Sequence, residues 1–252
     1  MSVNPKIKDW QGVRVWIIGA GSGIGAALAT QLREAGARLM LSGRHEPALR
    51  EVSAPGDLIA PLDVRDLSSL QQAMGLALEE GEVDMVIYCA GVYSPMRSWE
   101  LDPERVREAL EINLQGVFNL LAAVIPRFLE AGGNLCLVGS VAGYTGLPKA
   151  LVYGPTKAAL INLAQILHTD LSPRGIGVYL VNPGFVDTRL TRQNDFTMPA
   201  LITPEQAARE IIEGVGKGRF EIHFPKRFTR WMKLLSCLPD RLRLYLLRRA
   251  VA

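Results

Sequence analysis

The stretch "VRVWIIGAGSGIGAALATQLREAGARLMLSG", residues 13–43, decides the fold. It opens with an apolar run at 13–20, turns through "GAGSGIG", continues as "AALATQLREAG" with helical spacing of its apolar residues, and closes on a second apolar run at 37–43. An apolar run without polar alternation predicts a strand covered on both faces, so the stretch reads as one β-α-β unit. Gly19, Gly23 and Gly25 stand between strand and helix in a G-x-x-x-G-x-G spacing. Such a turn brings backbone close to a diphosphate, while the helix N-terminus offers unpaired N–H groups and the positive end of its dipole. The three glycines, with Ser22 and Ile24 between them, are therefore candidate cofactor-binding residues.

Working outward, the same alternation repeats. Further apolar runs fall at 57–64, 83–91, 134–140, 177–184 and 219–224, separated by segments of helical period. Asp102 before Pro103, and Thr203-Pro204-Glu205-Gln206, carry the signatures of capped helix N-termini. Gly36, Gly81 and Gly132 follow helical stretches and predict left-handed C-terminal caps. The expected architecture is α/β: a Rossmann-type doubly wound parallel sheet of about seven strands with helices on both faces and its site at the strand C-terminal ends. No linker interrupts the 252 residues, so a single domain is expected, with a core at about 12–224 and a basic amphipathic helical tail at about 226–252.

Composition narrows the function. The formal net charge is +3, but residues from Arg219 onward carry nine Lys and Arg against two acids, leaving the rest mildly acidic. That distribution argues against a nucleic-acid-binding core. The N-terminal segment lacks the apolar run of a signal peptide, and no uninterrupted apolar stretch reaches the roughly 18 residues of a membrane span. Cys89, Cys136 and Cys237 are scattered and odd in number, which suits buried thiols in a reducing cytoplasm better than disulfides, and no metal site is expected.

At the end of the second strand, where an NAD site would place an acid, the sequence has Ser42, Gly43 and Arg44. A guanidinium pairs with a 2′-phosphate, so NADP(H) is expected over NAD(H); a solvated loop arginine is the plainer reading. Asp63, before Val64, is placed to accept from the adenine amine, with an N-cap role near Asp66 as its rival. In "VYGPTKAAL", Tyr153 and Lys157 lie four apart and share a helix face. A free phenol ionises near about pH 10, and a neighbouring ammonium lowers that value, so the pair suits a proton donor and its tuner in carbonyl reduction. Ser140, ending the fifth strand, could hold the substrate oxygen beside Tyr153. Asn113, polar in an apolar helix, could bind a water relaying protons toward Lys157, or simply satisfy a backbone carbonyl.

In order and spacing, Gly19-x-x-x-Gly23-x-Gly25, Ala90-Gly91, Asn113, Ser140, Tyr153-x-x-x-Lys157 and Pro183-Gly184 resemble the short-chain dehydrogenase/reductase family over nearly all of 12–224. The resemblance implies a nicotinamide cofactor, a catalytic tetrad of Asn113, Ser140, Tyr153 and Lys157, and a second role for Lys157 at the nicotinamide ribose. It also implies cofactor contacts near the carboxamide and phosphates from Pro183, Gly184 and Thr188, and a homodimer or homotetramer. Ile18 and Cys89 depart from the pattern, standing where many relatives have threonine and asparagine, and both departures remove polar cross-links beside the cleft.

Tyr93, Met96, Trp99, Phe185, Leu190, Phe196 and Met198 are expected to enclose an apolar alcohol or ketone, with Arg189 and Arg192 as lid charges. In the tail, Phe228, Trp231, Leu234, Leu235 and Leu238 predict one apolar stripe, with Lys226, Arg230 and Lys233 opposite. A helix of that kind fits peripheral contact with an anionic membrane, a sister subunit or its own domain. The leading expectation is a cytoplasmic NAD(P)-dependent oxidoreductase acting on a small-molecule carbonyl or secondary alcohol. The alternatives are a catalytically silent nucleotide sensor and a membrane-surface reductase of lipid-like substrates.

Overall fold

The computed structural model describes residues 3–249; the last three residues of the expected tail lie outside them. Seven strands, β1 (Arg14–Ile18), β2 (Arg38–Gly43), β3 (Leu58–Pro61), β4 (Met85–Tyr88), β5 (Asn134–Val138), β6 (Gly177–Pro183) and β7 (Glu221–Phe224), form one sheet. All neighbours are parallel, in the order β3-β2-β1-β4-β5-β6-β7. The order reverses direction at β1 and β4, which opens a crevice at their C-terminal ends.

Alternation along the strands divides the core in two. Trp16, Ile18, Val86, Tyr88, Leu135 and Leu137 face α3 (Leu67–Glu80), α5 (Gly116–Ala131) and α6 (Tyr153–Leu171). Val15, Ile17, Met85, Ile87, Cys136 and Val138 face α1 (Gly23–Glu34) and α7 (Pro204–Gly216). With both faces covered, every strand position can be apolar, which is why the runs lack polar alternation. The indole N–H of fully buried Trp16 donates to Ser42 Oγ at 2.9 Å, which gives a polar partner to each.

Two short helices, α2 (Glu46–Val52) and α4 (Pro103–Leu110), complete the main body. Asp102 caps α4 by accepting from the Glu104 and Arg105 N–H groups, and Thr203 and Gln206 form a reciprocal capping box on α7. Gly36 has φ +90° beyond α1, whereas Gly81 and Gly132 pair φ of 126° and 80° with ψ of −173° and 179°. The latter two are not left-handed helical caps as expected: the chain leaves each helix extended, because β4 and β5 begin within a few residues. A π-helical turn at 111–115 joins α4 to α5, so Pro103–Ala131 is continuous and, by length and composition, apolar enough to cross a bilayer. Here α5 instead packs Val117, Leu120, Val124 and Phe128 into the core.

The tail forms α8 (Lys226–Ser236) and α9 (Asp240–Arg249). Its expected single stripe is split. Phe228 turns inward against Phe185, with ring centroids 5.5 Å apart, while Trp231 and Leu234 face out beside Arg227 and Arg230. Lys226 and Lys233 also turn inward, to the His223 carbonyl and the Glu221 carboxylate, because β7 offers them acceptors.

Candidate active site

The β1–α1 turn closes without side chains. A Cβ on Gly19, which has φ +89°, would lie 2.6 Å from the Ala90 nitrogen, and one on Gly25 would lie 2.2 Å from the Gly19 carbonyl oxygen. Ser22, the N-cap of α1, is extended and makes no side-chain cap, although α2, α3, α4 and α7 are capped by His45, Asp66, Asp102 and Thr203. The first amides of α1 are thus left for a ligand, and Gly19, Ser22, Gly23, Ile24 and Gly25 all line a cleft of about 730 Å³. A helix N-terminus with unclaimed N–H groups and no intervening side chain fits the diphosphate of a dinucleotide.

Around that cleft the other strand ends converge. Arg44, exposed after β2, lines it and has no hydrogen-bond or ion-pair partner among the described residues. Val64 comes from the loop after β3, Ala90 and Gly91 follow β4, and Pro183, Gly184 and Thr188 follow or end β6. Asp63 does not line the cleft. Its carboxylate is gripped by the Arg65 guanidinium at 2.6–3.0 Å, and that hydrogen bond holds it below the usual carboxylate range. Asp66, not Asp63, caps α3.

Ser140, Tyr153 and Lys157 line the same cleft. Ser140 lies two residues past β5, where its Oγ accepts from the Ala142 N–H at 3.1 Å. Tyr153 opens α6, and Lys157, one turn on, places Nζ 5.5 Å from the Tyr153 ring centroid while donating to the Val138 carbonyl at 2.9 Å. Burial pushes the Tyr153 phenol up to about 12; a hydrogen bond from Ser140 opposes this, and Tyr93 adds to it. Burial also lowers the Lys157 ammonium to about 8. The expected direction for the phenol is thus reversed, because desolvation disfavours the charged forms of both groups. Asn113 lies behind the cleft wall in the π-helical turn, where it clamps Val92 by donating to its carbonyl at 2.9 Å and accepting from its N–H at 2.8 Å. The backbone of Val92 is thus the partner of both ends of its amide.

Residues 14–198 match the family model described as short chain dehydrogenase. The chain belongs to that family. An uncharacterized oxidoreductase from Myxococcus xanthus is 34% identical over 232 residues, covering 89% of this chain and 92% of the relative. A short chain dehydrogenase from Burkholderia cenocepacia, solved in complex with NADP, superposes with a TM-score of 0.84 at 24% identity, covering 94% of this chain and 98% of the other. A 3-ketoacyl-(acyl-carrier-protein) reductase from Brucella melitensis, complexed with NADH, gives 0.77 at 22% identity, covering 85% and 98%. At such identities the solved structures establish likeness of fold. The protein is a short-chain dehydrogenase/reductase, an oxidoreductase by family.

On the substrate side of this dehydrogenase, only Tyr93 and Leu190 of the seven expected apolar residues line the cleft. Met96 is buried, Trp99 is exposed beneath Arg97, Phe196 packs on Phe185, and Met198 accepts from Asn194. Arg189 lines the cleft, whereas Arg192 pairs with Asp187. Sequence reading missed the bonds that fold the 185–202 loop over the site: Tyr93 Oη donates to Asn194 Oδ1 at 2.9 Å, and Lys149 pairs with Asp195. Tyr93 also meets Tyr153 edge to face, with centroids 5.0 Å apart. No local spacing announces these contacts, since their partners lie 46 to 101 residues apart in the chain.

Proposed function

We propose that this dehydrogenase is an NADPH-dependent reductase of an apolar ketone or aldehyde, run in reverse as oxidation of the secondary or primary alcohol. The observation that carries the reading is the convergence of Ser140, Tyr153 and Lys157 on one cleft with the phenol kept protonated. When bound, the nicotinamide supplies or takes the hydride at the carbonyl carbon. Tyr153 holds the proton that the carbonyl oxygen receives. The Ser140 hydroxyl, which lines the same cleft as Tyr153, supplies a second donor to the same oxygen. Lys157, tethered to Val138, stabilises the phenolate that forms as the proton leaves. Asn113 holds the Val92 backbone and with it the wall that faces the substrate. A turnover-free sensor leaves a buried phenol, hydroxyl and amine at one cleft without a purpose.

NADPH is favoured by Arg44, whose guanidinium lines the cleft unpartnered where an acid would repel a 2′-phosphate. The tail supplies a second reading of the partner. Trp231 and Leu234 are 68% and 55% exposed on the same helix as the exposed Arg227 and Arg230, and α9 buries no residue while presenting Leu242, Leu244 and Tyr245 among arginines. Aromatic, leucine and arginine side chains on one exposed surface suit an anionic lipid headgroup layer, which would place the enzyme at a cytoplasmic membrane face with lipid-like substrates.

Tyr153→Phe is expected to bind NADPH as the wild type does and to lose about 10² to 10⁴ in kcat, read as steady-state NADPH consumption across a carbonyl panel. Near-normal turnover would refute the proton-donor role. For the wild type, kcat/KM of reduction should be level at neutral pH and decline above about pH 8, as Lys157 loses the charge that the phenolate and the anionic cofactor require. A profile that climbs through that pH would contradict it. Arg44→Ala should weaken NADPH at least about tenfold and leave NADH unchanged, by fluorescence titration; equal losses for both would remove the 2′-phosphate contact. In flotation, the full chain should bind vesicles containing phosphatidylglycerol but not pure phosphatidylcholine, and Trp231→Ser/Leu234→Ser should release it. Binding unaffected by that double substitution would exclude this surface.

A further inference from the structure

Asn182, buried near the end of β6, makes two bonds of opposite sense. Its Oδ1 accepts from the Ser140 N–H at 3.1 Å, and its Nδ2 donates to Glu221 Oε1 at 2.8 Å. The approach is close: a Cβ on Gly139 would lie 2.4 Å from Asn182 Oδ1. Glu221, the first residue of β7, also accepts from the Tyr144 hydroxyl and from Lys233 Nζ of α8. Tyr144 closes the 3₁₀ turn 141–143 that Ser140 opens, so a single carboxylate holds both ends of the segment 140–144. Burial pushes that carboxyl up, yet the bonds from Lys233, Tyr144 and Asn182 outweigh it and keep the group below the usual carboxylate range.

A neutral amide between two partners can flip, and the flipped form would turn its NH₂ toward the Ser140 N–H. An ionised carboxylate accepts only, so Glu221 compels Nδ2 to face it and Oδ1 to face Ser140. Lys233 supplies the positive charge that keeps Glu221 ionised while part-buried. Glu221 and Lys233 both lie beyond the 14–198 span of the family match.

We propose that Lys233, Glu221 and Asn182 form a positioning relay through which the tail helix α8 fixes Ser140 at the reaction centre. This rests on the reading of Ser140 as a donor to the substrate oxygen, and none of the three touches the reacting atoms.

The test uses the full chain and three readouts: kcat and KM with a carbonyl the wild type reduces, NADPH affinity by fluorescence, and amide hydrogen exchange of the peptide spanning 139–144. Asn182→Asp sets two carboxylates together, and kcat should fall about tenfold or more with NADPH affinity within about twofold and faster exchange at 139–144. Adding Glu221→Gln should restore most of the loss, because Gln donates to Asp at 182, which still accepts from Ser140. Lys233→Met, at a partly exposed site, should lower kcat about threefold or more in the same pattern. The relay is overturned if Asn182→Asp and Lys233→Met leave kcat and exchange within about twofold of wild type, or if the double variant recovers nothing. Should Asn182→Asp not fold, Lys233→Met and Glu221→Gln decide by the same two readouts. A wild type that reduces no carbonyl, with the exchange pattern as expected, defeats the proposed reaction alone. An active wild type silenced by Tyr153→Phe but indifferent to the relay substitutions defeats the relay alone.

Discussion

The site depends on one bond made inside the protein, the 2.9 Å contact from the Lys157 amine to the Val138 carbonyl at the end of β5. Lys157 is 4% exposed, and a buried amine without an acceptor would be expelled toward solvent. Leu160, Ala164, Leu167 and Leu171 seat α6 against the sheet, and the bond ties its first turns to the end of β5. Tyr153, one turn earlier on the same face, then stands beside Lys157 at the cleft.

Enclosure also sets the electrostatics. Sequence spacing led to the expectation that the ammonium would acidify the phenol, and in the free enzyme burial outweighs it: the phenol is harder to ionise and the ammonium easier to discharge. A protonated phenol is what carbonyl reduction requires before the hydride arrives. Oxidation begins from the phenolate, which the charge on Lys157 stabilises.

Legibility in the sequence followed the range of the interactions. The glycine turn, the Tyr153–Lys157 pair and the Thr203 capping box are local, so their spacing carries the geometry, and the central strands were readable because both their faces are covered, while the edge strands β3 and β7 are only partly buried. Asp63 was placed at the adenine because nothing in its own neighbourhood says that Arg65 would fold back on it. For Asn113 the sequence left a relay water and a backbone carbonyl both open, because Val92, 21 residues away, was not visible as its partner. The substrate residues were read by type and position, yet Met96 is fixed by a backbone bridge to Ala150 and Phe185 by its ring contacts with Phe196 and Phe228.

The tail was the hardest segment because its chemistry answers to two environments. A helical stripe drawn from sequence assumes one apolar face, but α8 sits over the end of β7, where Glu221 and the His223 carbonyl draw Lys233 and Lys226 inward with Phe228 and Met232. His223, pressed by burial and then by Lys226 and Lys233 down to about 4, is neutral at physiological pH, and its Nδ1 pairs with Thr229 Oγ1. The inner face of α8 therefore keeps its contacts across the physiological range, while the outer face presents Arg227, Arg230, Trp231 and Leu234 to whatever lies beyond. A helix anchored by charge on one side and open on the other is fixed relative to the sheet. Lys233 and Asn182 meet on the same Glu221 carboxylate, so α8, β7 and the end of β6 share one cluster of bonds.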